Sequence, residues 1–310
     1  MRKVIGGLPL FFVIVFFCKS AVDPRQDESS LDQAKLKEIL QKTSEYCRKL
    51  ESAVFNFVCL EEIEEKVKNV QGSRQDLVPD RRAEGGIPQT PRNIPHYELT
   101  GRTEENKYLY EYQLVRKKGR NEEIRTLLKK NGRKKIQKDA RLEAGRLHYE
   151  NMAFGPIDLL SRRGQFYHDY KIVKEEVLNQ EQVAIIEATP NISSPQHSTF
   201  GKIWVRESDF VILKILWNEK SINNLQYAEE RAAQLKAKPQ ITLISEFDIE
   251  KNGIRFPSRV IFEEAYINRQ GKKLVASEIT VTYKDYKFFT VEVDVKYQIG
   301  GHNTHCRISP

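Results

Sequence analysis

The chain has 310 residues, a formal net charge of +8, and 39% hydrophobic and 30% charged residues. That composition excludes a multi-pass membrane protein and a disordered chain, and it leaves room for one large domain or two small ones with ample core. The basic excess is mild, and the export argued next weakens a nucleic-acid role further, so no nucleic-acid partner is expected.

Arg2 and Lys3, the apolar run Val4–Phe17, and Cys18-Lys19-Ser20-Ala21 have the layout of a secretory signal. Cleavage is most easily placed after Ser20, which makes 1–20 a signal peptide and 21–29 a flexible linker. The apolar run falls short of a transmembrane span of roughly 20 residues. Acylation at Cys18 and retention as an N-terminal anchor are the alternatives. All three place the chain outside the cytoplasm, in a periplasm, free or at the membrane.

Ser30-Leu31-Asp32-Gln33 reads as a capping box, and Leu36, Ile39, Leu40, Thr43, Cys47 and Leu50 recur behind it at helical spacing. A helix of about 20 residues is expected there. After Glu51 the period changes to two, with Phe55, Phe57, Cys59 and Ile63 on alternate positions of a strand. Outside the signal, the cysteines are Cys47, Cys59 and Cys306. An oxidising compartment favours a Cys47–Cys59 disulfide over any bond to Cys306, which lies in a Gly/His/Asn-rich tail. On one straight helix the two would stand ~18 Å apart, so the chain must turn between them. Two buried free thiols are the alternative.

Gly72, Pro79, Gly85, Gly86, Pro88, Pro91 and Pro95 puncture residues 70–96, which read as a long surface loop. Beyond it the chain is mostly strand. Tyr108, Tyr110, Tyr112 and Leu114 share one face, and Gly119 and Asn131-Gly132 mark turns. Ten of the twenty residues from Arg116 to Lys135 are Lys or Arg. Arg116, Lys117, Lys118, Arg120, Lys129, Lys130, Arg133 and Lys134 form the candidate patch for an anionic membrane surface or a protein partner. A solvated hairpin that keeps strand edges from pairing is the alternative.

A short helix is expected at 155–163, with Pro156 in its first turn, and strands near 167–177 and 182–188. Residues 200–217 read as a hairpin around Glu207-Ser208-Asp209. Val211, Leu213, Ile215 and Trp217 fall on one face and Phe210, Ile212 and Leu216 on the other, so both faces need cover. A helical insertion at 224–238 ends at Pro239. A β-meander then turns at Lys251-Asn252-Gly253 and Arg269-Gln270-Gly271. Val291, Val293 and Val295 are expected to close the sheet, and 299–310 to form a disordered tail.

Of His96, His148, His168, His197, His302 and His305, only His302 and His305, with Cys306, have metal-ligand spacing, and that trio reads as an adventitious group in a disordered terminus. Glu61, Glu62, Glu64 and Glu65, and Glu263 with Glu264, read as charged outer-face residues. No catalytic residue, metal or cofactor is expected.

Gly201-Lys202-Ile203-Trp204-Val205, followed by Phe210-Val211-Ile212-Leu213-Lys214-Ile215, resembles a hairpin of the LolA/LolB-like family of outer-membrane lipoprotein carriers. Lys251-Asn252-Gly253-Ile254-Arg255-Phe256-Pro257-Ser258 is similar to that family's later strand pair. The resemblance implies a mainly β domain over 30–298: a single antiparallel, incompletely closed β-barrel wrapped over an N-terminal helix. It also implies a non-enzymatic, monomeric carrier or receptor whose concave face holds acyl chains of a lipid or lipoprotein. Under this resemblance Tyr108, Tyr110, Tyr112, Val211, Leu213, Ile215, Trp217, Phe247, Phe262 and Tyr283 line the hollow. A filled β-sandwich core would show the same residues. The chain departs from the family in its length, chiefly through 70–96 and 224–238. The runner-up on the same fold is an envelope scaffold or regulatory sensor with a protein partner at the hairpin 116–135.

Overall fold

A computed structural model describes residues 24–73, 96–118, 120–144, 154–195, 198–222, 225–289, 293–299 and 302–308. The expected signal peptide and most of the 70–96 loop lie outside these residues. Helix α1 spans Pro24–Ala53. It starts within the expected linker, so the capping box at Ser30 lies inside the helix. Four strands follow: β1 (Phe57–Ser73), β2 (His96–Lys117), β3 (Arg120–Lys130) and β4 (Arg133–Gln137). Two short helices, α2 (Gly155–Leu160) and α3 (Arg162–Tyr167), lead to β5 (His168–Leu178), β6 (Glu181–Pro190), β7 (Gly201–Arg206) and β8 (Ile212–Trp217). After α4 (Leu225–Leu235) come β9 (Lys238–Glu246), the small hairpin β10 (Ile249–Lys251) and β11 (Ile254–Phe256), then β12 (Arg259–Ile267) and β13 (Lys273–Phe288).

Eleven strands form one sheet in the order β4-β3-β2-β1-β13-β12-β9-β8-β7-β6-β5. Every ladder is antiparallel, as short sequential connections demand. From β1 the chain runs out to the β4 edge, crosses through α2 and α3 to the opposite edge at β5, and returns strand by strand until β13 pairs with β1. The two edges do not meet, so the barrel stays open.

The turn chemistry sets these registers. Asn131 (φ 49°) and Gly132 (φ 77°) make the two-residue β3–β4 turn, and Asn252 (φ 53°) with Gly253 (φ 70°) make the β10–β11 turn. β1 extends to Ser73 and β2 begins at His96, paired with each other, so the sheet takes in both ends of the expected loop. The sheet does not close through Val293 and Val295. They lie in β14 (Val293–Ile299), which pairs with β15 (His302–Ile308) in a separate ribbon. The expected disordered tail therefore carries a strand, β15.

The hairpin at 200–217 forms with one correction. Trp204 pairs with Lys214 and Val205 with Ile212, which leaves Leu213 as a β-bulge. The extra residue changes the parity of the strand, so Ile212 and Ile215 share the face of Val205 and Ile203. The apolar residues on both predicted faces thus follow largely from a bulge. One core cluster joins this face to the stripe Ile39, Tyr46, Cys47, Leu50 and Val54 of α1. Wrapping the sheet on that helix is what buries both.

Candidate functional site

The ten predicted lining residues all fall in that single core, and none is more than 8% exposed. They pack against one another and against the helices. They come from β2, the β7–β8 hairpin, β12 and β13, with Phe247 just after β9, so the topology gathers residues from distant parts of the chain.

The inner face divides into two chemistries. On the β7–β8–β9–β12 side it is apolar, with Ile203, Val205, Ile215, Leu243, Phe247 and Phe262 buried together. Trp217 is placed by its indole N–H, which donates to Ser245 Oγ at 2.8 Å. Helix α2 closes on this side. Gly155 lies against the Trp217 ring so tightly that a Cβ there would fall 2.8 Å from Cζ2.

On the β1–β2–β3–β13 side the inner face carries charge. Glu61 is 1% exposed and points inward, as does the buried Glu65, whereas Glu62 and Glu64 face outward and meet Lys284 and Lys107 at 2.5 Å each. This corrects the expectation of an all-outer acidic run. Arg125 reaches over β2, with its guanidinium 5.0 Å from the centroid of the Tyr112 ring. It donates from Nε to Glu61 Oε2 at 2.6 Å, from a terminal nitrogen to Glu61 Oε1 at 3.0 Å, and from the other to Glu123 at 2.8 Å. Tyr283 donates to Glu61 at 3.0 Å and Tyr112 to Glu123 at 2.9 Å.

Burial works against the charge of Arg125, but the adjacent Glu61 carboxylate outweighs it and raises its pKa above that of a free arginine. Burial also pushes Tyr112 and Tyr283 well above the usual phenol range, reinforced by Glu123 and Glu61 respectively, and Tyr110 to about 12. A further buried carboxylate, Glu264, accepts from Tyr266 and pairs with Arg231 of α4 at 3.2 Å, while Glu263 faces outward to Lys273.

The cover packs into the core through Ile39, Leu50, Leu159 and Leu160, and polar contacts fasten its rim. Lys35 bridges Glu175 of β5 at 2.6 Å and Glu207 of the β7–β8 turn at 2.8 Å. Tyr46 Oη donates to Arg255 O and accepts from Arg255 N–H. Gln165 of α3 donates to the carbonyls of Leu40 and Leu160, tying α3 to α1 and α2.

The predicted disulfide is absent, for a topological reason. Cys47, on α1, points at α2 and donates to Pro156 O at 3.3 Å, whereas Cys59 is carried away on β1; both are buried free thiols. The basic patch also changes form. Arg116, Lys117, Lys118 and Arg120 sit at one end of β3, and Lys129, Lys130, Arg133 and Lys134 at the other, about 33 Å apart along an extended strand. Several of the charges are paired, Arg116 with Glu51, Lys117 with Glu122 and Lys130 with Glu143. A shallow groove of about 380 Å³ lies on the convex face, where Glu64, Lys66, Arg259 and Glu263 make it charged and solvated. Among the described residues no cluster of three or more metal-ligating side chains occurs.

No protein-family model and no curated protein matches the chain. Several solved structures are similar to the chain. One is a LolA superfamily protein from Nitrosomonas europaea, 13% identical over 82% of this chain and 94% of that one, with a TM-score of 0.35. Another is a DUF1329 family protein from Desulfovibrio piger, 9% identical over 81% and 92%, TM-score 0.33. A third is a putative outer membrane lipoprotein-sorting protein domain from Vibrio parahaemolyticus, 13% identical over 81% and 94%, TM-score 0.31.

Proposed function

We propose that this chain is a non-enzymatic periplasmic carrier or receptor that holds an acyl chain of a lipid or lipidated protein between the apolar inner face and its helical cover. The carrying observation is the unequal attachment of the two layers. The sheet is held by continuous backbone ladders, whereas α1 to α3 are joined to it by side-chain packing and by rim contacts such as Lys35–Glu175 and Tyr46–Arg255. A partly exposed ion pair such as Lys35–Glu175 contributes about 0–1 kcal/mol. Each methylene of a bound acyl chain contributes about 0.8 kcal/mol, so a long chain can replace the apolar contacts that a displaced helix gives up. No reaction is required of the site.

Native mass spectrometry of the purified chain, with solvent extraction and lipid analysis, tests this. The expected result is a stoichiometric acyl species. An apo mass that takes up neither phospholipid nor lipopeptide would sink the proposal.

A further inference from the structure

Helix α3 and the turn after β6 together form a projecting tip. Ser161 caps α3 by accepting from Gly164 N–H at 3.1 Å, and a Cβ at Gly164 would meet Asp158 O at 2.3 Å. The sharp α2–α3 corner thus needs glycine, and it turns Phe166 outward, 64% exposed. The turn at 191–194 is fastened to this helix end. Asn191 donates from Nδ2 to Phe166 O at 2.9 Å and from its backbone to Tyr167 O at 3.1 Å, and Ser194 Oγ donates to Tyr167 O. Within the turn, Asn191 Oδ1 accepts from Ser193 N–H at 2.9 Å. This scaffold presents Ile192 fully to solvent, at 104% exposure.

A structured turn that displays a bare isoleucine beside a bare phenylalanine differs from scattered surface hydrophobes, which carry no such support. Two cations stand beside them. Arg162 and Arg163 are exposed on the first turn of α3; the nearest exposed acids in sequence are Asp158 of α2, whose charge interacts with that of Arg163, and Asp169 of β5. Apolar side chains flanked by arginines match a bilayer interface, where the ring and the aliphatic side chain enter the headgroup layer and the guanidinium groups meet lipid phosphates. Gln165, between the arginines and Phe166, is the residue that ties α3 to α1 and α2, so the tip is rigidly joined to the cover.

We propose that Phe166, Tyr167 and Ile192, flanked by Arg162 and Arg163, form a bilayer-docking tip that sets the helical cover against an anionic membrane surface. The proposal extends the acyl-carrier reading and is tested separately from it. The full chain is floated with vesicles of mixed phosphatidylethanolamine and phosphatidylglycerol and with vesicles of phosphatidylcholine alone. Flotation with the anionic vesicles is expected, and Phe166→Ser with Ile192→Ser should abolish it. Arg162→Gln with Arg163→Gln should weaken it roughly thirtyfold at low salt, from two cations near a charged surface. Co-purified acyl species, measured on the same variants, should be unchanged, which shows that the fold and the hollow survive. A chain that carries acyl species but ignores anionic vesicles overturns the tip and leaves the carrier standing. Vesicle binding without acyl uptake does the reverse. Loss of self-association, rather than of vesicle binding, in the serine variants would assign the tip to a second copy of this chain and likewise overturn the proposal.

Discussion

Arg125 on β3 and Glu61 on β1 form a bidentate ion pair across the intervening strand β2, inside the barrel and nearly out of water. Arg125→Ala would leave Glu61 and Glu123 buried without their cation. A loss of about 3–5 kcal/mol is expected in urea denaturation at pH 7. Combining Arg125→Met with Glu61→Leu should recover much of it, because the penalty belongs to the orphaned charge. Equal losses in the single and double variants would show that the pair itself, and not its desolvation, supplies the stability.

The buried phenols make stability fall at high pH. Burial raises the folded-state pKa of Tyr46, Tyr112, Tyr170, Tyr283 and Tyr286, and moves that of Tyr110 to about 12, against about 10 in the unfolded chain. In the window above pH 10 the folded state binds more protons than the unfolded one. Their contribution is therefore intact below pH 10 and is lost as pH rises through the folded-state values. Tyrosinate absorbance should appear in one cooperative step that coincides with loss of the β-sheet signal. A titration centred near 10 with the sheet intact would contradict the assignment.

Cys47 and Cys59 are buried, and burial raises both thiols well above their ordinary range. Iodoacetamide at pH 8 should leave both unmodified in the native chain and alkylate both after denaturation without reductant, read by peptide mapping. A requirement for reductant would restore the disulfide.

Two glycines should respond differently to alanine. At Gly201 a Cβ would fall 2.3 Å from the Leu216 carbonyl oxygen, on the backbone of the paired strand. At Gly155 the obstacle is the edge of the Trp217 ring. Both variants should lower the melting temperature, by overpacking worth about 1–3 kcal/mol. Gly201→Ala should cost more, since a ladder shifts less readily than a side chain. The reverse order would mean that the indole is the more rigid partner.

Much of the architecture is legible in residue order. Asn131-Gly132 and Asn252-Gly253 announce their hairpins, Leu225 to Leu235 announces its helix, and alternation fixes the inward row Tyr108, Tyr110 and Tyr112. Glu61 shows both the power of such patterns and how they are overruled. It shares parity with Phe57, Cys59 and Ile63, which places it inside, yet charge argues for water. Its partner, Arg125, stands two strands away, and no local pattern announces that pairing. The bulge at Leu213 is hidden for the same kind of reason. It exists because β7 and β8 pair out of step, a relation between strands that neither strand shows alone. The tip at Phe166 and Ile192 joins segments separated by two whole strands, so only the hydrogen bonds of Asn191 and Ser194 reveal it.

β1 is sealed on one side by β2, which follows it closely, and on the other by β13, where Phe57 meets Phe288. A chain emerging N-terminus first therefore makes this strand early and completes its second border last. Until then β1 and its Glu61–Arg125 cluster sit at an unsealed seam, where long-range closure is slow and stray strands can pair. A chain cut short before Lys273 would not be a smaller barrel but one split along its charged interior.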